Sequence, residues 1–249
     1  MERFRCEPFG IVTVRRRIGA RSIRIRIEAG KILVSADYYT RDKDIVKLLK
    51  ENEKEILEKQ NTLESHKKFI TEDFKLECRY FSLDVQRDEK LTRYLFTLKI
   101  DHNATPCKFT IRCNSGINFN NDDIQERLLK AINQTIRNVA KEPLETRTMQ
   151  LANEFGFEVN SVKAKVARTK WGSCSSRKNI NLSAYLILLP ERLMDYVIIH
   201  ELCHLKEMNH SARFHALVNK YTDGKESELE KELKGYSINI FDYSRQADV

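Results

Sequence analysis

Residues Tyr196 to Phe214 read YVIIHELCHLKEMNHSARF, and the reading of this stretch decides the fold. His200, Glu201 and His204 spell H-E-x-x-H. Residues four apart on an α-helix stand one turn above each other, so two imidazoles converge on one point beside a carboxylate. That pattern is a zinc site with a base attached. The lead-in supports a helix: Pro190 can occupy its first turn, Glu191 suits the positive N-terminal dipole, and Leu193, Val197, Ile198 and Leu202 supply an apolar face. Val197-Ile198-Ile199 sets the motif in a core instead of on a solvated face.

A catalytic zinc keeps one position open and needs a third protein ligand, and His210 follows just beyond Met208-Asn209. Asn209 is expected to stop the helix in the left-handed conformation, and Ser211 to cap the next one, which carries Phe214, Leu217 and Val218. Three neutral imidazoles leave zinc its full charge, which lowers the pKa of bound water and polarises a carbonyl. Glu201 can then take the water proton and pass it to a leaving amine. Cys203 faces away from this point, because successive helix residues diverge by about 100°.

Two runs, RTKWGSCSSRKNINLSAYLILLP from Arg168 to Pro190 and DYVIIHELCHLKEMNHSARF from Asp195 to Phe214, resemble the signature of the YgjP-like metallopeptidase family. That family is related to the SprT and Spartan-type zinc proteases. The resemblance covers about the last third of the chain, and RRRIGARSIRIRIEAGKILVSA near the N-terminus resembles the family's opening β-rich segment. It implies a zincin-like catalytic domain with His200, His204 and His210 as zinc ligands and Glu201 as catalytic base. The histidine spacing also resembles that of metzincins, but Glu207 stands where those enzymes carry glycine, and no methionine follows Met208 to make a Met-turn.

The 249 residues suffice for one large domain or two small ones, and 41% hydrophobic with 32% charged residues fits a globular chain. No apolar run approaches a membrane span, and the charged N-terminus lacks a signal-peptide core, so a cytoplasmic protein without membrane partners is expected. Six scattered cysteines without a C-x-x-C pair read as reduced thiols. The net charge of +8 is uneven. Arg3, Arg5, Arg15, Arg16, Arg17, Arg21, Arg24 and Arg26 crowd the start against only Glu2 and Glu7.

From Ile11 to Val34 the period is two, which predicts a hairpin with an apolar face and an arginine face, turning at Glu28 to Lys31. The arginine face reads either as a phosphate-binding strip or as a solvated face that resists edge pairing. Asp42 to His66 predicts one long, solvent-washed helix. Strands follow at 81–85, 94–98 and 108–112, and no residue-level repeat is evident. Asn120-Asn121 caps a helix from about Asp122, which Pro143 ends or kinks before the pattern continues to Gly156. Val159 to Trp171 reads as a strand, Gly172 to Ser176 as a turn whose small residues let backbone approach something closely, and Asn179 to Leu182 as a returning strand. The tail is charged and helical, ending in Ile238 to Tyr243.

The fold class expected is therefore α+β, with a β-hairpin-rich N-terminal region with one long helix over 1–120 and a zincin-like domain with its active-site helix over 121–249. The function expected is zinc-dependent peptide hydrolysis on protein or peptide substrates, with Zn2+ as cofactor and nucleic acid as a partner for the basic N-terminal region. Two alternatives stand beside it: a metal-dependent nucleotide phosphohydrolase whose N-terminal arginines hold phosphate, and a nucleic-acid-binding protein with a structural zinc closed by Cys203. A donor for the tetrahedral oxyanion is expected, and the sequence does not identify it: His215, Tyr221 and Arg213 are near the motif in sequence only, and His215, on the new helix, reads either as a packed histidine or as such a group.

Overall fold

Alternation of apolar and polar residues in the first forty positions builds a four-stranded sheet in the computed structural model, which describes residues 2–28, 31–65, 69–167 and 169–238. The Ala29-Gly30 turn, His66, Arg168 and Asn239 to Tyr243 lie outside the described residues. Strands β1 (Glu2–Cys6), β2 (Gly10–Arg17), β3 (Arg24–Glu28) and β4 (Lys31–Asp37) stand in the order β1-β2-β4-β3. The β3/β4 pair is the expected antiparallel hairpin, and β2 and β4 run parallel between two antiparallel edges. Val12, Val14, Ile32, Val34 and Ala36 share a core with Ile45, Leu49 and Ile56 of the helices that follow.

Those helices are two, α1 (Asp42–Glu51) and α2 (Glu53–Ser65), where one long helix is expected from periodicity. Asn52 breaks the run: its side-chain amide donates to the Leu48 carbonyl at 2.8 Å, and its backbone leaves the helical region at φ −112°, ψ 20°. Asparagine competes with the helix ladder in this way, so a charge-rich sequence with few core contacts yields there. Residues 1–68 form one compact unit, and residues 69–249 form a second.

The second unit opens with β5 (Lys75–Glu77), β6 (Phe81–Asp88), β7 (Phe96–Asp101) and β8 (Cys107–Asn114), in the order β5-β6-β8-β7. Its pairing repeats that of the first sheet, with a parallel central pair between two antiparallel edges. Leu83, Val85, Phe109 and Ile111 lie in the same core as Leu128, Ile132 and Ile136 of α3 (Asp122–Phe155). The domain start expected at about residue 121 falls at the beginning of α3, and the core of the second unit runs across it.

Helix α3 begins where its cap predicts: the Asn121 side chain accepts the Asp123 and Ile124 N–H groups. It ends at Gly156, which holds the left-handed conformation at φ 68° that closes a helix without a Cβ penalty. Pro143 neither ends nor divides it, contrary to the sequence expectation. Leu128, Ile132, Ile136, Ala140, Leu144, Thr148 and Leu151 make one continuous buried stripe, and packing along it offsets the hydrogen bond that proline removes.

Among the described residues a third sheet, one 3₁₀ helix and three α-helices complete the unit. Strands β9 (Ser161–Lys165), β10 (Gly172–Cys174) and β11 (Asn179–Ser183) stand in the order β10-β11-β9. The expected strand to Trp171 is shorter, and Gly172 to Cys174 is strand, with the turn at Ser175 to Lys178. A 3₁₀ helix (Ala184–Leu188), wholly buried, leads into α4 (Glu191–Cys203), followed by α5 (Ala212–Tyr221) and α6 (Glu226–Leu233). The class is α+β. Among the described residues no helix is long and apolar enough to cross a membrane.

Candidate metal centre

Helix α4 is fixed on both sides before it presents any chemistry. Leu193, Ile198 and Leu202 are fully buried, and Arg147 of α3 grips Asp195 of α4 through two parallel bonds of 2.7 and 2.6 Å. A forked guanidinium on a carboxylate sets orientation as well as distance, which holds the helix in rotation. The helix begins after Pro190, and Glu191 in its first turn is ion-paired with Arg79. Its end differs from expectation. Regular helix stops at Cys203, and Asn209 is not in the left-handed region; the turn is closed by Leu205, Lys206 and Glu207 N–H groups bonding back to Leu202 and Cys203. Ser211 then caps α5 as expected, accepting the Phe214 N–H.

This return brings the three expected histidines together. The nearest ring nitrogens of His200, His204 and His210 all lie within 4.8 Å of one another. His200 Nε2 and His210 Nε2 stand 3.1 Å apart, close to the edge of about 3.3 Å between two nitrogens bound to one tetrahedral zinc. Phe214 backs the cluster, its ring stacked on His204 at a centroid distance of 4.4 Å. His204 Nδ1 contacts the Glu207 carbonyl at 3.1 Å. A carbonyl only accepts, so Nδ1 carries the proton and Nε2 keeps its lone pair for a cation. Burial first, then the neighbouring imidazoles, hold the His200 pKa down to about 4, and burial lowers that of His204. Neutral imidazoles are the form that ligates a metal, so the donor set fits zinc.

Glu201 lies against β10 and lines the same cleft as the histidines. It is buried, and its Oε2 has no hydrogen-bond partner among the described residues. Burial raises its pKa to about 7, partly opposed by Lys170. A Cβ built on Gly172 would stand 2.5 Å from Glu201 Oε1 and 2.6 Å from its Cγ, so any side chain there would force this carboxylate to shift. The small residues of 172–176 marked a close backbone approach in the sequence; the neighbour is Glu201.

The histidines, Glu201, Gly172 and Trp171 line one cleft of about 710 Å³. Strand β10 is the edge of its sheet, paired on one side to β11 only. His215 also lines the cleft, with Nδ1 2.7 Å from the buried Glu226 carboxylate, whose other oxygen accepts from Asn219 at 2.9 Å. Tyr221 instead stacks on Phe155, and Arg213 is not among the cleft residues. Tyr196 is a cleft residue that the sequence did not single out, since a tyrosine four residues before His200 reads as ordinary core. Cys203 is buried and stands outside the imidazole group, its thiol pushed up to about 12 by burial.

The chain belongs to the YgjP-like family: the family model, described as a YgjP-like metallopeptidase domain, matches residues 21–236. No curated protein matches it. Two solved structures are similar to it in part. The metallopeptidase zymogen of Pyrococcus abyssi abylysin is 26% identical, over 37% of this chain and 92% of that one, with a TM-score of 0.34. The metallopeptidase zymogen of Methanocaldococcus jannaschii jannalysin is 24% identical, over 37% and 94%, with a TM-score of 0.34. The chain is thus a metallopeptidase, a hydrolase of peptide substrates, and its family implies a divalent metal.

Proposed function

We propose that the chain is a zinc-dependent peptidase in which His200, His204 and His210 hold the metal and Glu201 is the general base. The observation that carries this reading is the buried Glu201 carboxylate, one oxygen without a partner among the described residues, beside three convergent imidazoles in an open cleft. Zinc on three neutral imidazoles supplies a Lewis acid that acidifies water and polarises the scissile carbonyl.

Glu201 receives the proton that the attacking water loses and returns it to the leaving amine. Burial raises the proton affinity of this carboxylate, which suits a group that takes a proton from water and hands it on. Gly172 leaves the room that the base occupies, since a Cβ there would meet its side chain. The free edge of β10 suits an extended peptide, which would add as a further strand and draw its scissile bond past the histidines. His215, held through Nδ1 by Glu226, offers its other nitrogen to the oxyanion. All of these groups fall within 121–249, which we take as the catalytic region.

The test is mass-spectrometric detection of new peptide termini from a pool of unfolded proteins, with Glu201→Gln as the blank and zinc content measured on both proteins. New termini from the wild type alone, with one zinc on each protein, are expected. Zinc bound equally to both and no new termini from either would overturn the base and the peptidase reading together.

A further inference from the structure

Strand registers assign each residue of the first sheet to a face, because directly paired residues share one. Arg15, Ser35 and Arg24 form one row across β2, β4 and β3, and Arg3, Thr13, Leu33 and Arg26 form the next across all four strands. Arg5, Arg17 and Lys31 stand on the same face. Seven basic residues thus share it with the carboxylate of Asp37. The opposite face carries Val12, Val14, Ile32 and Val34 into the core.

Most of this charge is uncompensated. Arg3, Arg15, Arg17, Arg24 and Arg26 are exposed, and none has an acidic partner among the described residues; Arg5 pairs with Glu7. Asp37 is occupied by the backbone, accepting the Gly19 N–H at 2.9 Å and the Tyr39 N–H at 3.1 Å. Arg17, Arg21 and Arg24 also line one concavity with Ser22 and Ser35. Because β2 and β4 are parallel, the segments that follow them leave at one end of the sheet, and there Ile18, Tyr38 and Tyr39 are 87%, 60% and 83% exposed.

We propose that this face binds single-stranded nucleic acid, its phosphates on the arginine rows and its bases against Tyr38 and Tyr39. Alternate residues on a strand stand about 6.8 Å apart and neighbouring strands about 4.8 Å, so the arginines form a grid that a flexible phosphate chain can follow. Guanidinium forks match phosphate oxygens in pairs, and exposed aromatic rings accept bases of any identity. An acidic protein would use the charge but has no need of rings at the end of the grid.

The test is fluorescence anisotropy of a labelled oligothymidine of about 20 nucleotides with the full chain across a salt series. Five phosphates neutralised on a single strand predict a slope of log affinity on log salt of about −3.5. The combined R15Q, R17Q, R24Q and R26Q variant is expected to lose affinity on the order of 100-fold and to flatten the slope by about 3. Removing the same charge as K47Q, K50Q, K54Q and K59Q from the two helices should leave affinity within about threefold. Y38A with Y39A should weaken binding about tenfold at unchanged slope. Equal losses in the two charge-matched variants, or tighter binding of polyglutamate or of duplex DNA than of the single strand, overturn the proposal. If the four-arginine variant does not fold, R24Q with R26Q on β3 carries the same comparison.

Discussion

Two sheets in this chain share one strand order and treat their free faces in opposite ways. The face of the second sheet turned from its core holds Lys75, Lys99, Lys108 and Arg112 against Glu77, Asp84, Asp88 and Asp101. Lys108 binds Asp84 at 2.9 Å, and Arg112 binds Asp88. The first sheet leaves five arginines of the equivalent face without such partners among the described residues. A common topology therefore says where the core lies and nothing about the use of the other face. Charge balance separates them: a face with as many acids as bases is settled scaffold, whereas a face with a large cationic excess raises its own repulsion unless something anionic covers it.

The largest effect that sharpens this contrast is catalytic. Glu201→Gln should lower peptide hydrolysis about a thousandfold while leaving oligothymidine anisotropy unchanged, which assigns the two activities to separate units. Next comes core truncation. Phe81→Ala, at a fully buried site, should cost about 3–5 kcal/mol, whereas Val12→Ala should cost about 2 kcal/mol and melt only the first unit. Calorimetry resolves whether each substitution moves its own transition; a single shared transition would break the comparison. Gly172→Ala should cost about 1–3 kcal/mol by overpacking and lower the turnover rate more than it changes KM, because it displaces the base.

The smallest effect concerns the paired face. Burial pushes the Asp84 carboxyl up, but Lys108, Thr110 and Gln86 outweigh this and hold it below the ordinary value. A depressed folded pKa stabilises the fold above the unfolded value of about 4 and ceases to do so as pH falls through the folded one. Asp84→Asn should therefore cost about 1 kcal/mol at pH 7, and its difference from the wild type should shrink below about pH 4 in denaturant titrations. Arg15→Gln on the first sheet should shift stability by less than about 0.5 kcal/mol at any pH.

Features that depend on neighbours in sequence were legible in it. The histidine spacing on α4, the Asn121 and Ser211 caps and the β3/β4 hairpin are all local, and the structure has them. What failed depended on distant partners. Pro143 is carried by a stripe whose packing partners lie far along the chain, and Asn52 divides a helix that has too few such partners. The duplicated topology is invisible residue by residue, because parallel pairing of β2 with β4 and of β6 with β8 constrains burial and not identity. His215 enters the cleft through the placement of α5, which no spacing within its segment encodes, whereas Tyr196 stands one turn before His200 on α4 and follows from the same spacing as the motif.

The contact between Gly172 and Glu201 also has a genetic reading. Every missense change at codon 172 installs a Cβ, whatever the new side chain, so all of them meet the same carboxylate at the same place. Conservative and radical substitutions, graded almost anywhere else in the chain, should fall into one class there. In a library of variants selected for peptidase activity, position 172 is expected to return its own codons alone.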